Sequence, residues 1–286
     1  MSKPPTYALL DSGDGRKLEQ FGEFRIDRPC SQAVWRQQLP RAAWDQAAAV
    51  FSREGGNHWS FRGQLPEQWT VTIEGLSFTV QPTDFGHLGV FPEHRCAWGW
   101  LSERVAAAVN AGGSPPSVLN LFAYSGGATL AAARAGAKVC HLDASKKMVA
   151  WARANAELNQ LGGAPIRWIV DDVAKFLARE HRRDTRYDGI ILDPPSFGRG
   201  TRQEVFKIDT HLRDILDLCR AVLAPSPLFV VLTCHTPGYT PTVLHHLLRQ
   251  ALPPTGGAIE TGEMVLEGSG EALPVPSGVF AGWRRE

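Results

Sequence analysis

Apolar and polar residues alternate along two short runs in the first third of the chain. The runs Trp69–Ile73 and Leu76–Val80 lie on either side of Glu74-Gly75. A period of two on both sides of a turn dipeptide predicts a β-hairpin. A helical pattern then covers residues 91–110 and ends at the Gly/Pro-rich stretch 111–116. The part before this helix, residues 1–88, is therefore predicted to be a small N-terminal α/β unit.

From residue 117 onward the pattern changes to short apolar runs separated by helical stretches. Helices are predicted at 145–158 and 204–223, and Thr240-Pro241 is typical of a helix start. The predicted strands are residues 118–122, 138–142, 166–170, 189–192, 228–233, 263–266 and 279–283. Alternation of strands and helices with short connections predicts a mostly parallel seven-stranded sheet. Residues 89–286 are expected to form this second domain, with its last two strands antiparallel.

Composition excludes several classes of protein. Hydrophobic residues make up 43% of the 286 residues and the formal net charge is +1, so a disordered chain is not expected and bulk charge gives no support for nucleic-acid binding. No apolar run is long enough to cross a membrane, and the N-terminus lacks a secretory h-region. The five cysteines include no C-x-x-C pair, which predicts neither a disulfide framework nor a metal site. A soluble cytoplasmic protein is expected.

A glycine-containing loop follows the first strand of the second domain. Its residues are Ala123-Tyr124-Ser125-Gly126-Gly127, and Asp143 ends the next strand about 17 residues after the first glycine. A second-strand carboxylate at roughly 20 residues from such a loop binds the ribose of a nucleoside in Rossmann-like sheets. The loop has no phosphate-binding fingerprint, which argues against a nicotinamide dehydrogenase. An ordinary strand–helix turn and a helix-capping Asp143 are the alternatives.

Two further strands of this domain also end in carboxylates. Asp171-Asp172-Val173 follows the third strand, and Asp172 is the candidate for a contact with an adenine amino group. Asp193-Pro194-Pro195-Ser196-Phe197 follows the fourth strand. Two prolines cannot continue a strand ladder, so they predict a rigid turn that fixes an acceptor next to a reactive cofactor atom. Phe197 is either a base-stacking residue or a core residue, and Arg199 is a candidate phosphate contact.

The run from Asn120 to Gly200 resembles the class I S-adenosylmethionine-dependent methyltransferases. Within them it is similar to bacterial large-subunit ribosomal-RNA methyltransferases that modify cytosine C5 or guanine N7, and residues 85–95 are similar to their lead-in segment. The resemblance implies a Rossmann-like methyltransferase sheet and S-adenosyl-L-methionine as cofactor. Those relatives usually carry a PUA-type RNA-binding domain, for which the region before the hairpin is too short. The cofactor-binding residues that it implies are Glu93, His94, Phe122, Tyr124, Ser125, Gly126, Gly127, Asp143, Ala144, Asp172, Val173 and Asp193, and the substrate residues are Pro194, Pro195, Ser196, Phe197 and Arg199.

The catalytic candidates are Asp193 and Cys234. Cys234 ends the fifth parallel strand, where RNA cytosine-5 enzymes keep a nucleophile, and His235 follows it. Methylation of cytosine C5 requires a thiolate, whereas guanine N7 already has a lone pair. The alternative is a small residue buried at a strand end. Ser196 argues against amino-group methylation, because amino methylases have an aromatic residue directly after the two prolines.

The sequence therefore predicts a methyltransferase acting on a nucleobase of ribosomal RNA. Two alternatives stay open: a methyltransferase for a small molecule or protein, and a noncatalytic RNA-binding or cofactor-sensing protein. RNA is the expected partner, no membrane is expected, and the sequence predicts no oligomeric state.

Overall fold

The computed structural model describes residues 6–199, 205–252 and 256–286, apart from the side chain of Arg199. The described chain divides into two compact units by contact density. The first consists of Met1–Arg95 and Val265–Ser277, and the second of Cys96–Met264 and Gly278–Glu286. This division by contacts falls after Arg95, and a late segment returns to the first unit. The domain boundary expected after residue 88 stays a prediction.

The first unit contains a five-stranded sheet with strand order β1-β2-β3-β4-β5 and a separate hairpin, β6-β7. Its elements are β1 Tyr7–Gly13, β2 Arg16–Phe21, β3 Phe24–Pro29, α1 Arg41–Trp44, β4 Ala49–Ser52, β5 His58–Phe61, β6 Trp69–Ile73 and β7 Leu76–Val80. The hairpin is confirmed with its predicted bounds. Both of its turn residues have positive φ, 49° at Glu74 and 72° at Gly75, the conformation that tight hairpin turns require.

A buried network of charged groups crosses β2 and β3 in the first unit. The Glu19 carboxylate accepts hydrogen bonds from Tyr7 Oη at 2.9 Å and Arg28 Nε at 2.8 Å, and Lys17 Nζ lies at 3.3 Å. Glu19 is completely buried and Arg28 is only 6% exposed. Arg28 also donates to the carbonyl of Gly86 at 3.1 Å. The network thus fixes residue 86, in the lead-in segment, to the sheet.

The second unit is built on a seven-stranded sheet with the order β10-β9-β8-β11-β14-β16-β15. Four neighbouring strand pairs, from β10 through β14, are parallel, and β16 is antiparallel to β14. The predicted mostly parallel seven-stranded fold is confirmed. The elements are α2 Arg95–Asn110, β8 Ser117–Leu121, α3 Gly127–Arg134, β9 Lys138–Asp143, α4 Lys146–Leu158, β10 Ile166–Val170, α5 Val173–Arg182, β11 Gly189–Leu192, β12 Phe197–Arg199, β13 Val205–Lys207, α6 Ile208–Val222, β14 Phe229–Cys234, α7 Pro241–Ala251, β15 Gly257–Leu266 and β16 Val275–Arg285.

One predicted element of the second unit is wrong at its start. A helix was predicted from residue 204, but Val205–Lys207 forms β13, which pairs with β12, and α6 begins only at Ile208. Residue 204 itself lies outside the described residues. The apolar core packs α5, α6 and α7 against the parallel strands. In the described ranges, no helix combines the length and apolarity that a bilayer crossing requires.

Candidate functional site

The carboxyl ends of four neighbouring parallel strands bring the predicted acidic residues to one edge of the sheet. Asp143 ends β9 and is paired with Val170, the last residue of β10. Leu192, the last residue of β11, is paired with Leu121 of β8. Asp172 and Asp193 therefore follow strands on either side of the β8–β9 pair. Open parallel sheets bind their ligands at this edge.

The turn after β8 has a backbone conformation that is rare for its residue types. Phe122 and Tyr124 have φ values of 55° and 48°, and Gly126 has 95°. A bulky aromatic residue in the left-handed region costs about 1–3 kcal/mol and persists only where the surroundings enforce it. One such restraint is the buried Asn155 side chain, which donates to the carbonyl of Ser125 at 3.0 Å. The turn is consequently held in one shape.

The two glycines of this turn are required by packing inside the protein. A Cβ on Gly126 would lie 3.0 Å from the Cβ of Ala152 in α4. A Cβ on Gly127 would lie 2.3 Å from Cζ2 of Trp98 in α2. Both helices therefore pack tightly on the turn. Gly127 in particular is explained by helix packing, whatever the turn binds.

Asp143 is the carboxylate that joins this turn to the next helix. Its Oδ2 accepts from the backbone N–H of Tyr124 at 2.9 Å, and its Oδ1 accepts from that of Ser145 at 2.8 Å. Burial raises the pKa of the Asp143 carboxyl, and the two backbone donors partly oppose this shift. Each oxygen has a further lone pair. The group thus has acceptor capacity for the two hydroxyls of a ribose.

The acidic pair after β10 divides its roles between an ion pair and a helix cap. Asp171 forms a salt bridge with Arg179 and accepts from the Asp172 N–H at 2.8 Å. Asp172 Oδ1 accepts from the backbone N–H of Lys175 at 3.0 Å and caps α5. The adenine contact predicted for Asp172 stays a prediction. Two neighbouring candidates stay predictions as well: Ala144 precedes the capping residue of α4, and the side chain of Val173 is buried in the core.

The Asp-Pro-Pro turn is fixed by the strand beside it. Thr233 Oγ1 in β14 donates to Asp193 Oδ1 at 2.7 Å, and Thr233 is only 2% exposed. The hydroxyls of Ser196 and Thr236 lie 2.7 Å apart. Thr233 and Thr236 were not among the predicted site residues. Thr233 directly precedes the candidate Cys234, and Thr236 directly follows His235. The hydrogen-bond partners of both threonines are distant in sequence, so no local signal identifies them.

The residues after this turn form a short hairpin at the same edge. Pro194 is buried, whereas Pro195 and Phe197 are exposed, Phe197 by 53%. The core alternative for Phe197 is therefore wrong. On the second strand of the hairpin, the ring of Phe206 lies 5.2 Å from that of Phe122. Arg199 ends β12, and its side chain lies outside the described part of the structure.

Cys234 has an environment that opposes formation of a thiolate. It is 1% exposed, and its Sγ accepts from the Thr236 N–H at 3.4 Å. Burial raises the pKa of the thiol and outweighs the hydrogen bond from Thr236, which lowers it. The carboxylates of Asp193 and Asp209 raise the pKa further. The thiol form therefore dominates at neutral pH. A nucleophilic role for Cys234 stays a prediction, and the burial of the thiol argues against it.

Two predicted cofactor residues, Glu93 and His94, belong to the first unit. They lie in the 3-10 turn Pro92–His94 and are 6% and 8% exposed. Their proposed approach to the methionine end of a cofactor stays a prediction. Exposed His235 and the buried His141 lie in the second unit. His141 is a packed strand residue, with Nδ1 2.9 Å from Thr129 Oγ1.

Comparisons with known proteins agree with this geometry. The model of a family described as S-adenosylmethionine-dependent methyltransferase matches residues 24–252. The crystal structure of an S-adenosylmethionine-dependent methyltransferase from Agrobacterium tumefaciens is 42% identical, with a TM-score of 0.92 over 98% of this chain and 90% of the other. SMU.776, solved in complex with SAH, shares the fold at 21% identity and a TM-score of 0.76, over 99% of this chain and 76% of the other.

Curated relatives match over a shorter region. The protein named Ribosomal RNA large subunit methyltransferase K/L from Syntrophotalea carbinolica is 33% identical over 180 residues, which are 62% of this chain and 24% of that protein. The match thus spans about a quarter of the length of that relative.

The parallel sheet, its acidic strand ends and its strained turn define a methyltransferase of the Rossmann-like type. With the family match over most of its length, the chain belongs to the S-adenosylmethionine-dependent methyltransferase family. Its cofactor is S-adenosylmethionine. The residues fit this group: Asp143 has acceptor capacity for a ribose, and the rigid turn from Phe122 to Gly126 borders the same strand end.

Proposed function

We propose that this methyltransferase modifies a nucleobase of ribosomal RNA. The observation that carries the substrate class is the similarity to relatives named Ribosomal RNA large subunit methyltransferase K/L, 33% identical over 180 residues in one case. Phe197, 53% exposed beside the Asp-Pro-Pro turn, supports a planar acceptor, because exposed aromatic rings stack on bases. An acceptor of this kind also implies that the protein acts in the cytoplasm.

On the donor side, the chain has to hold the cofactor in one orientation. When bound, S-adenosylmethionine supplies a methyl group on a positively charged sulfonium, which is already activated for transfer. Asp143 would accept hydrogen bonds from the ribose hydroxyls, and Asp172 would accept one from the adenine amino group. The rigid turn around Gly126 would hold the methionine part. Because the backbone of the turn is already ordered before binding, cofactor binding costs little conformational entropy.

On the acceptor side, the chain positions the base for in-line transfer. Asp193 is held by the hydrogen bond from Thr233. The two prolines stiffen the backbone after it, and the Ser196–Thr236 contact ties the end of the turn to the loop after β14. Positioning of this kind can account for a large part of a rate enhancement, since it replaces a bimolecular encounter.

The environment of Cys234 supports a nitrogen atom as the acceptor rather than cytosine C5. Attack by C5 requires a thiolate that adds to the base first, and burial disfavours the thiolate of Cys234. A ring nitrogen such as guanine N7 attacks with its own lone pair and needs no enzyme nucleophile.

The test is transfer of labelled methyl groups to RNA. Ribosomal RNA is isolated from a strain that lacks this protein and, as the matched control, from the parent strain. We expect one methylated nucleoside to form only in the first RNA, with the label on a ring nitrogen. Label on C5 would contradict the nitrogen assignment. Labelling of small molecules or protein alone, or binding of RNA without transfer, would contradict the proposed function.

A further inference from the structure

The two units differ in charge. By sequence, the first unit has ten Lys and Arg residues against thirteen Asp and Glu, and the second has twenty against sixteen. The excess of positive charge therefore lies entirely in the methyltransferase unit. For an enzyme with a polyanionic substrate, this excess is expected to lie where the substrate binds.

Four of the five lysines in the second unit lie at the starts of helices. Lys146 and Lys147 are the first two residues of α4, Lys175 lies in the first turn of α5, and Lys207 is the N-cap residue of α6. Each of these helices begins at the carboxyl edge of the parallel sheet, on the side of Asp143 and Asp193. The exposed Lys146, Lys147 and Lys207 are called the basic rim below.

These positions are unfavourable for positive charge. The start of a helix carries the positive end of the helix dipole, so a cation there destabilises the helix. The first turn of α4 contains no acidic residue. Elsewhere in the unit, charges follow the dipole, and arginines occupy the last turns of α3, α5, α6 and α7: Arg134, Arg179, Arg182, Arg220 and Arg249. The four lysines at the helix starts, three of which form the basic rim, depart from the charge distribution that these last turns show.

The basic rim also has the right extent for a nucleic-acid backbone. α4 follows β9, and α6 is tied to the end of β11 by the Ile208 N–H, which donates to the carbonyl of Ser196 at 3.2 Å. β9 and β11 are separated by β8 only, so their ends are roughly 10 Å apart. Exposed Phe197 lies at the start of the hairpin that leads to Lys207. The lysines of the basic rim and an exposed aromatic ring thus lie at the same edge of the sheet.

From these observations we infer that the basic rim binds the phosphate backbone of the RNA that carries the acceptor base. The inference rests on the proposed function and adds the surface by which that substrate is held. The positive charge of the lysines fixes the position of the RNA backbone, while Phe197 and the Asp-Pro-Pro turn contact the base.

The test compares two double variants with the same change in charge. Lys146→Gln/Lys147→Gln removes charge from the basic rim. Lys138→Gln/Arg285→Gln removes it from exposed residues at the opposite edge, where β9 begins and β16 ends. Binding of a short fluorescent single-stranded RNA is measured by anisotropy at several salt concentrations. Calorimetry with S-adenosylmethionine and thermal melting are measured on the same proteins.

We expect the rim variant to bind RNA about tenfold more weakly near 0.15 M salt, with a salt slope smaller by roughly 1.4, since each phosphate contact on a single strand contributes about 0.7. Its cofactor affinity should stay within about twofold, and its Tm should rise by about 2 °C because a dipole conflict is removed. The Lys207→Gln variant should reduce the slope by roughly half as much. The opposite-edge variant should bind RNA like the wild type.

An unchanged salt slope, or equal losses in the two double variants, would overturn the inference. A fall in Tm together with lost RNA binding would also count against it, because the lysines would then be structural. The proposed function is tested separately. If the wild type bound RNA through the basic rim but methylated none, the proposed function would be wrong while the RNA-binding surface would be confirmed.

Discussion

The side chain of Thr233 donates a 2.7 Å hydrogen bond to Oδ1 of Asp193, although the two residues are 40 positions apart. The bond joins the end of β14 to the end of β11, and the strands pair in parallel directly behind it. Since Thr233 is buried, solvent cannot replace the donor. The orientation of the Asp193 carboxylate therefore depends on a residue outside the Asp-Pro-Pro motif.

Replacement of Thr233 tests this dependence. In Thr233→Val the shape is kept but the donor is lost, and we expect kcat to fall at least about tenfold, as the loss of a buried bond to a charged group predicts. Thr233→Ser keeps the hydroxyl and should keep most of the activity. Steady-state kinetics and cofactor calorimetry separate the effects. A wild-type kcat in the valine variant would show that Asp193 needs no such support.

Cys234→Ser should leave methyl transfer within about threefold of the wild type. The reason is that burial keeps the native side chain as a thiol, so no nucleophile is lost. The rate is measured at neutral pH with the RNA substrate, and Cys219→Ser, also a buried cysteine of this unit, serves as a control for the packing cost. Loss of activity in the Cys234 variant alone would restore the cytosine-C5 mechanism.

Gly127→Ala should destabilise the second unit by about 1–3 kcal/mol. Its Cβ would lie 2.3 Å from Cζ2 of Trp98, so α2 or the turn has to move. The matched control is Gly99→Ala, since Gly99 lies in α2 with nothing within 4 Å of its Cβ position, and there alanine should stabilise by about 0.5–1 kcal/mol. Urea unfolding measures both. Equal effects of the two substitutions would show that the Trp98 contact is not restrictive.

Loss of the Glu19 carboxylate should strongly destabilise the first unit. Glu19→Ala leaves Arg28 buried without its partner, at a cost of about 3–5 kcal/mol. Burial raises the pKa of Glu19, but Arg28 and Lys17 outweigh it, and the pKa lies below its ordinary value of 4.5. A lowered pKa contributes stability that is present above 4.5 and is lost as the pH falls through the folded value. A Glu19→Gln variant that still folds should not show this loss of stability on acidification.

The comparison is unfolding of the wild type and Glu19→Gln between pH 3 and pH 7. Glu23→Gln is the control, because Glu23 is an exposed carboxylate in the turn between β2 and β3. If the wild type and the Glu19 variant lost stability equally over this range, the ion network would contribute nothing to acid sensitivity.

The sheet and its acidic ends could be predicted because their signals are local. Each strand is a short apolar run, and the carboxyl ends of neighbouring parallel strands meet at one edge, so Asp143, Asp172 and Asp193 follow from the pattern alone. The hairpin at Glu74-Gly75 was predictable for the same reason, since the turn residues determine its geometry.

The remaining features depend on contacts between distant residues. The three-residue strands β12 and β13 have too few positions to show a period, and Phe206 packs on Phe122 far from it in sequence. The five-stranded sheet of the first unit contains strands as short as four residues, which the sequence pattern did not separate. In the sequence, Thr233 is an ordinary strand residue. Its contact with Asp193 follows only from the position of β14 beside β11.

The contact that the account needs most is that between Asp143 and the cofactor. Calorimetry with S-adenosylmethionine should show one site per chain in the wild type and at least tenfold weaker binding in Asp143→Ala, with Asp188→Ala, at the opposite end of β11, as the control. Burial raises the pKa of Asp143. As the pH is lowered, the wild type should therefore begin to lose affinity for the cofactor at a higher pH than it would with an ordinary aspartate. Equal affinity of the Asp143 variant and the wild type at neutral pH would contradict the assignment of the site.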